Sequence, residues 1–191
     1  MYKRQVLLPE GSRTLFEYLP PSINAAELQR QVTDGRGFTT VYTLNHYGSV
    51  TQIVDPLNNV TQMSWAEDDV VMEQRIDAND VVTDYSYDEY GNLTSEIVRQ
   101  VTDFDGAQHD YVTLYEYWPP LGFDPPFIKN RVQRKTNRNG VVTEYYYDNH
   151  GNLSSESVVG TDYNIQHTYY PNGDRKATTD ANDNVTQFSY D

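Results

Sequence analysis

The feature that most constrains this chain is a stretch that returns in altered copies along its length, VTDYSYDEYGNLTSEIV from Val82 to Val98. Strand side chains alternate between two faces. Thr83, Tyr85 and Tyr87 therefore share one face, and Val82, Asp84 and Ser86 share the other. The DEYGN segment follows, and its Gly91-Asn92 pair tolerates the positive φ that a short hairpin needs. Leu93, Ser95 and Ile97 then alternate with Thr94, Glu96 and Val98. Strand, tight corner and returning strand make a β-hairpin.

Aligned on a Thr-x-aromatic-x-aromatic strand, the copies are Thr14-Phe16-Tyr18, Thr40-Tyr42-Leu44, Thr61-Met63-Trp65 and Thr83-Tyr85-Tyr87, then Thr113-Tyr115-Tyr117, Thr143-Tyr145-Tyr147, Gln166-Thr168-Tyr170 and Thr186-Phe188-Tyr190. Several anchors lie about 20 to 23 residues apart, a spacing typical of small repeat units. Corners recur in two kinds. The first comprises Asn45-His46-Tyr47-Gly48, Asp88 to Asn92, Asp148 to Asn152 and Pro171-Asn172-Gly173. The second comprises Asp55 to Asn59, Asp77 to Asp80, Asn137 to Gly140 and Asp180 to Asn184. Asp and Asn cap turns, Gly supplies positive φ and Pro fixes φ. Alternating corners connect the hairpins head to tail, which predicts one continuous antiparallel sheet spanning residues 1–191 as a single run.

Three places break the period. Residues 19–31 lengthen the first unit, and AAELQRQ within them has the composition of a helical turn. Glu67-Asp68-Asp69 puts an acidic tip where a corner glycine is expected. Residues 118–128, WPPLGFDPPFI, insert a stiff proline loop that either covers a sheet edge or offers Trp118, Phe123 and Phe127 to a partner. Residues 1–12 form an irregular or non-native start, and VTQFSYD at the C-terminus reads as the first strand of a further hairpin.

Hydrophobic residues make up 37% of the chain and its mean hydropathy is −0.74, values that with a net charge of −14 approach those of disordered chains. Disordered chains lack aromatic and β-branched residues, whereas this one has 17 tyrosines. The half-buried layer is therefore tyrosine-rich, and each ring brings a hydroxyl that needs a partner. On this reading neighbouring hairpins stack tyrosine on tyrosine. The acidic balance disfavours nucleic acid as a partner, and no apolar run reaches the length of a membrane span. Absence of cysteine removes thiol nucleophiles and zinc-thiolate sites.

No catalytic residue stands out. His46 and His150 sit at corners, and carboxylates that recur once per unit read as turn caps instead of general acids. No metal site or cofactor is expected. The Asp180 to Asn184 corner spaces its oxygens like the start of an EF-hand, but Val185 occupies the sixth place, where glycine is required. Lys129, Arg131, Arg134, Lys135 and Arg138 form a basic cluster, read as strand residues that face solvent and pair with nearby acids, or as a dock for an acidic partner.

DYSYDEYGNLTSE (84–96), EYYYDNHGNLSSE (144–156) and DANDNVT (180–186) resemble the YD repeats of the Rhs family. The matching signature residues are Tyr85, Tyr87, Asp88, Gly91, Asn92 and Leu93, with Tyr145, Tyr147, Asp148, Gly151, Asn152 and Leu153 in the second copy. The resemblance implies an all-β architecture of tandem hairpins, a spiralling sheet forming part of a hollow shell around a toxin segment. It also implies a structural, non-enzymatic role in a large secreted or surface-associated bacterial protein, with flanking repeats and an enclosed cargo as partners. Asp55-Pro56-Leu57 and Asp124-Pro125-Pro126 lack the glycine of the family's self-cleaving boundary. The alternative role is a module that stacks exposed tyrosines on cell-surface glycans.

Overall fold

The computed structural model describes residues 2–7, 13–18, 28–67, 70–118 and 130–191. Its strands run in chain order. They are β1 (Tyr2–Leu7), β2 (Arg13–Tyr18), β3 (Leu28–Thr33), β4 (Thr39–Leu44), β5 (Val50–Val54), β6 (Val60–Trp65), β7 (Met72–Ile76) and β8 (Val82–Tyr87), followed by β9 (Leu93–Thr102), β10 (Gln108–Tyr117), β11 (Val132–Thr136), β12 (Val142–Tyr147), β13 (Leu153–Val158), β14 (Asn164–Tyr169), β15 (Arg175–Thr179) and β16 (Val185–Gln187). Each strand is hydrogen-bonded to its sequence neighbours in an open sheet with the order β1 to β16, antiparallel at each pairing whose register is defined. No helix occurs among the described residues. The all-β expectation is borne out.

Contacts group the chain into two units. One comprises Met1–Tyr85 with Val98–Asp110, and the other Ser86–Ile97 with Tyr111–Asp191. The division passes through β8, β9 and β10.

Within each unit the described strands pack against their neighbours in the sheet order. Among the described residues no apolar side chain is fully buried; the most enclosed polar ones are Thr43 at 6% and Thr83 at 7% exposure. Most strand residues are half-buried on both faces, with strict alternation on β6, β7 and β14. Packing is therefore between adjacent strands, and stability accumulates between nearest neighbours, as in repeat proteins.

Three expectations need correction. The helical turn in AAELQRQ gives way to β3 from Leu28 onward. Leu28, Arg30 and Val32 alternate with Gln29 and Gln31, and the strand pairs residue by residue with β4. Residues 25–27 lie outside the described residues. The seventh anchor is displaced by one: Ile165, His167 and Tyr169 are the more buried residues of β14, and Gln166 and Thr168 are exposed. Tyr170, read as the last strand aromatic, instead begins the corner, its N–H bonding Asp174 O at 2.8 Å. Lastly, tyrosine meets tyrosine at few places: Tyr2 stands opposite Tyr18 on β1–β2, and the Tyr170 and Tyr190 rings meet edge to face at 6.5 Å, but from β4 to β13 the repeat tyrosines face other residues. Tyr42 faces Ile53, Tyr115 faces Lys135, Tyr145 faces Glu156 and Tyr147 faces Leu153. From β2 onward the tyrosine-bearing strands are separated by at least one strand without tyrosine, which sets them about 9.6 Å or more apart, twice the inter-strand spacing.

Candidate functional site

The repeating corners give the first part of the site. In a five-residue corner such as Asp88 to Asn92, the first N–H bonds the fifth carbonyl, and the fourth N–H bonds the first carbonyl. Ten described corners share this pair, with distances of 2.8–3.0 Å and 2.8–3.1 Å. The fourth residue takes positive φ, from 61° at Asp80 to 97° at Gly48. This is a type I turn closed by a left-handed bulge residue.

The first residue's side chain completes the corner. Asp88 Oδ1 accepts the Tyr90 and Asn92 N–H groups, each at 2.9 Å, and Oδ2 accepts Asn92 Nδ2 at 2.9 Å. Asp148 repeats the set with His150 and Asn152 at 2.8–3.0 Å. Asp55 does so with Leu57 and Asn59, and Asp180 with Asn182 and Asn184. The carboxylate that resembled a calcium ligand is thus engaged by its own loop. Asp34 and Asp103 also begin such corners. Sequence reading passed them over, although Asp34-Gly35-Arg36-Gly37 and Asp103-Phe104-Asp105-Gly106 carry the same D-x-x-G signal.

Tyrosine hydroxyls give the second part. The aromatic residue closing a strand reaches across the preceding hairpin ladder to the carbonyl just after the earlier corner. Tyr117 Oη donates to Leu93 O at 2.8 Å, Tyr147 to Val132 O at 2.9 Å, Tyr169 to Leu153 O at 2.7 Å and Tyr190 to Arg175 O at 3.0 Å. Trp65 makes the same link through Nε1 to Val50 O at 2.8 Å. Four of these acceptors lie where a bulge disturbs the ladder on the acceptor strand's other side, with register shifts where Tyr117 meets Val132, Tyr147 meets Leu153, Tyr169 meets Arg175 and Leu44 meets Val50. The ring donor thus meets a carbonyl beside the disturbed ladder. Sequence alone asked for a hydroxyl partner but did not locate it.

The signature residues consequently fall into four groups. Asp88, Gly91, Asn92, Asp148, Gly151 and Asn152 build corners, whereas Leu93 and Leu153 supply carbonyls to Tyr117 and Tyr169. Tyr85 and Tyr145 lie on the same face as Thr83 and Thr143 and are half-buried. Tyr87 closes β8 as Tyr147 closes β12.

The described residues that flank the proline insertion are joined like the ends of a corner. Trp118 stands at its first position, donating its backbone N–H to Arg131 O at 2.9 Å, and Asn130 at φ +55° donates back to Trp118 O at 3.4 Å. The ends that close an ordinary corner are thus kept. Trp118 is half-buried, its indole N–H without a partner among the described residues; Phe123 and Phe127 lie outside them.

The basic cluster divides between the two sheet faces. Arg134 pairs with Glu144 at 3.4 Å and Glu116 at 3.9 Å, and Tyr146 Oη donates to the same Glu144 at 3.0 Å. This part matches the expected pairing with acids. Lys135, one residue on, turns to the other face and lies 5.4 Å over the Tyr115 ring, while Arg131 lies 5.6 Å over Tyr147 and Arg138 5.0 Å over Tyr111. These three rest on tyrosines, a correction that follows from alternation along β11. Lys129 lies outside the described residues. In the first unit the polar face carries a comparable network. Gln74 Nε2 and Arg99 Nε bond Asp84 at 2.8 and 2.6 Å, and Arg99 continues to Asp110 at 2.9 Å.

These contacts set the titration behaviour. Burial raises the Asp88 carboxyl, but the sum of hydrogen bonds from Asn92, Tyr90 and Gly91 outweighs it and leaves the group below its ordinary 3.8. Asp148 behaves likewise, and Asp55 and Asp180 are lowered chiefly by the Asn59 and Asn184 side chains. Lowered folded-state values mean stability is fully present above pH 3.8 and is lost as pH falls through the lower folded values. Melting temperature is therefore expected to fall below about pH 4. Asp88→Asn, which keeps the cap that Asn45 and Asn137 already provide, should remove the loss of amide protection at Asn92 that accompanies Asp88 protonation below about pH 4, leaving only the intrinsic pH dependence of exchange. A protection factor at that amide that still falls at acid pH in the variant would contradict the assignment. At the alkaline end, burial raises Tyr117, Tyr145 and Tyr147 above 10.0. Their contribution is intact below pH 10 and lost as pH rises through the raised values.

No protein-family model matches the chain, and no curated protein does. Solved structures do. The Photorhabdus luminescens Tc holotoxin pore, in a form with mutated TccC3, superposes with a TM-score of 0.58 at 17% identity, over 87% of this chain and 9% of that one. TcdB2-TccC3-TEV gives 0.51 at 15% identity over 99% and 13%, and TcdB2-TccC3-Cdc42 gives 0.50 at 13% over 94% and 12%. The chain thus spans about a tenth of the length of the chains it resembles. At these identities the likeness is one of fold, the sheet that the YD-repeat resemblance implies.

Proposed function

We propose that this chain is a non-catalytic segment of a shell wall, part of a larger secreted or surface protein that encloses a polypeptide cargo. The observation that carries this reading is a sheet with no fully buried apolar side chain among its described residues, whose bonds run from each hairpin to the one before it. Such a chain builds surface. The fold likeness to Tc toxin structures supports the same reading, and the repeated carboxylates are engaged as corner caps.

A glycan-binding role requires open faces on the repeat tyrosines. Tyr85, Tyr115, Tyr117, Tyr145 and Tyr147 are half-buried, and the Tyr117 and Tyr147 hydroxyls are engaged by backbone carbonyls. The more open rings include Tyr47 and Tyr90, at 66% and 49% exposure, on corner tips.

Limited proteolysis of the contiguous reading frame containing this chain tests the proposal. A protected internal polypeptide within a resistant repeat region is the expected result. Digestion of every segment at similar rates would count against enclosure.

A further inference from the structure

The second unit carries a cationic stripe that the wall reading does not use. Arg131 immediately precedes β11, Lys135 lies within it and Arg138 lies in the corner after it. Each lies over a tyrosine ring, of Tyr147, Tyr115 and Tyr111 respectively. Among the described residues, the ion pairs of this strand belong to Arg134 on the opposite face, held by Glu116 and Glu144. Arg131 and Arg138 are exposed and Lys135 is half-buried. Carboxylates do approach this region: Glu156 stands opposite Tyr145, and Asp88 acts on the Tyr117 hydroxyl. Neither forms an ion pair with the three cations. A chain with a net charge of −14 thus concentrates positive charge on tyrosine-backed supports, where a cation keeps its charge and gains attraction from the ring.

We propose that this stripe docks an extended acidic polypeptide segment laid along β11, its carboxylates meeting Arg131, Lys135 and Arg138. Spacing and charge both fit. Residues 131 and 135 of a strand share a face about 13 Å apart, the distance between carboxylates four residues apart in an extended peptide. Because the cations cover the ring faces, the surface presents charge in preference to rings on which a sugar would stack. Docking on a sheet face needs no closed wall, so the stripe acts whether or not the sheet encloses a cargo.

Fluorescence anisotropy of the full chain with a labelled peptide of alternating Glu and Thr tests this, with the Gln-for-Glu peptide and a polyuronate as comparisons. The acidic peptide is expected to bind, to weaken as salt rises, and to lose at least about tenfold in affinity in the R131Q/K135Q/R138Q variant. An R131K/R138K variant keeps the charges and should retain binding, which separates loss of charge from loss of fold. Equal binding of the Gln peptide, undiminished binding by the triple variant, or binding of the polyuronate alone would overturn the proposal.

Discussion

Replacing Tyr147 with phenylalanine is expected to destabilise the β11–β12 pair by about 1 kcal/mol, the usual net worth of one hydrogen bond. The ring stays, but Val132 O loses the hydroxyl that donates to it at 2.9 Å. Tyr147→Ala removes the ring as well and should cost about 2–3 kcal/mol, the low end of large-to-small substitutions because the site is half-buried. It also frees Arg131 from its ring support. Trp65→Phe should repeat the smaller loss at Val50, since its Nε1 makes the equivalent bond. Thermal melting and amide exchange of neighbouring strands measure both effects. If Tyr147→Phe behaved as wild type, water would be replacing the hydroxyl and the cross-strand bond would carry no weight.

Gly91→Val is expected to cost about 1–3 kcal/mol, as left-handed backbone does for a β-branched residue. The cause is conformational and not steric, because a Cβ built at Gly91, with φ +82°, meets nothing within 4 Å. Asparagine should therefore be tolerated with little loss. The chain already shows why: Asn58, Asp80 and Asp183 hold the same corner position at φ 66°, 61° and 63°. Melting temperatures of the Val and Asn variants, compared with wild type, decide the matter. Equal damage by both would point to a contact that the open corner does not show.

Much of the sheet was legible because strand and corner signals coincide. Alternation placed Thr83, Tyr85 and Tyr87 together, and D-x-x-G-N announced its turn by composition and offset. Misreadings arose where one signal was missing. At β14 the corner begins with Tyr170 in place of Asp, so an aromatic was assigned to the strand and the alignment slipped by one. At β3 a short stretch of good helix formers hid an alternation that pairing with β4 enforces, tertiary context overriding local propensity. The hydroxyl-to-carbonyl bonds could not be read from composition. They depend on where the bulge displaces the ladder and on a partner some 15 to 24 residues earlier. The split of the basic cluster, by contrast, was available from alternation: Arg134 and Lys135 are adjacent on a strand and must face opposite ways.

The ring-to-carbonyl bonds have a consequence for how such genes change length. Because each reaches only to the strand immediately before it, removing or duplicating one pair of strands leaves every remaining pair with its donor and acceptor. Unequal recombination between copies can therefore shorten or extend the protein in two-strand steps without retuning a shared interior. Loss of a single strand would put donors on the wrong partners.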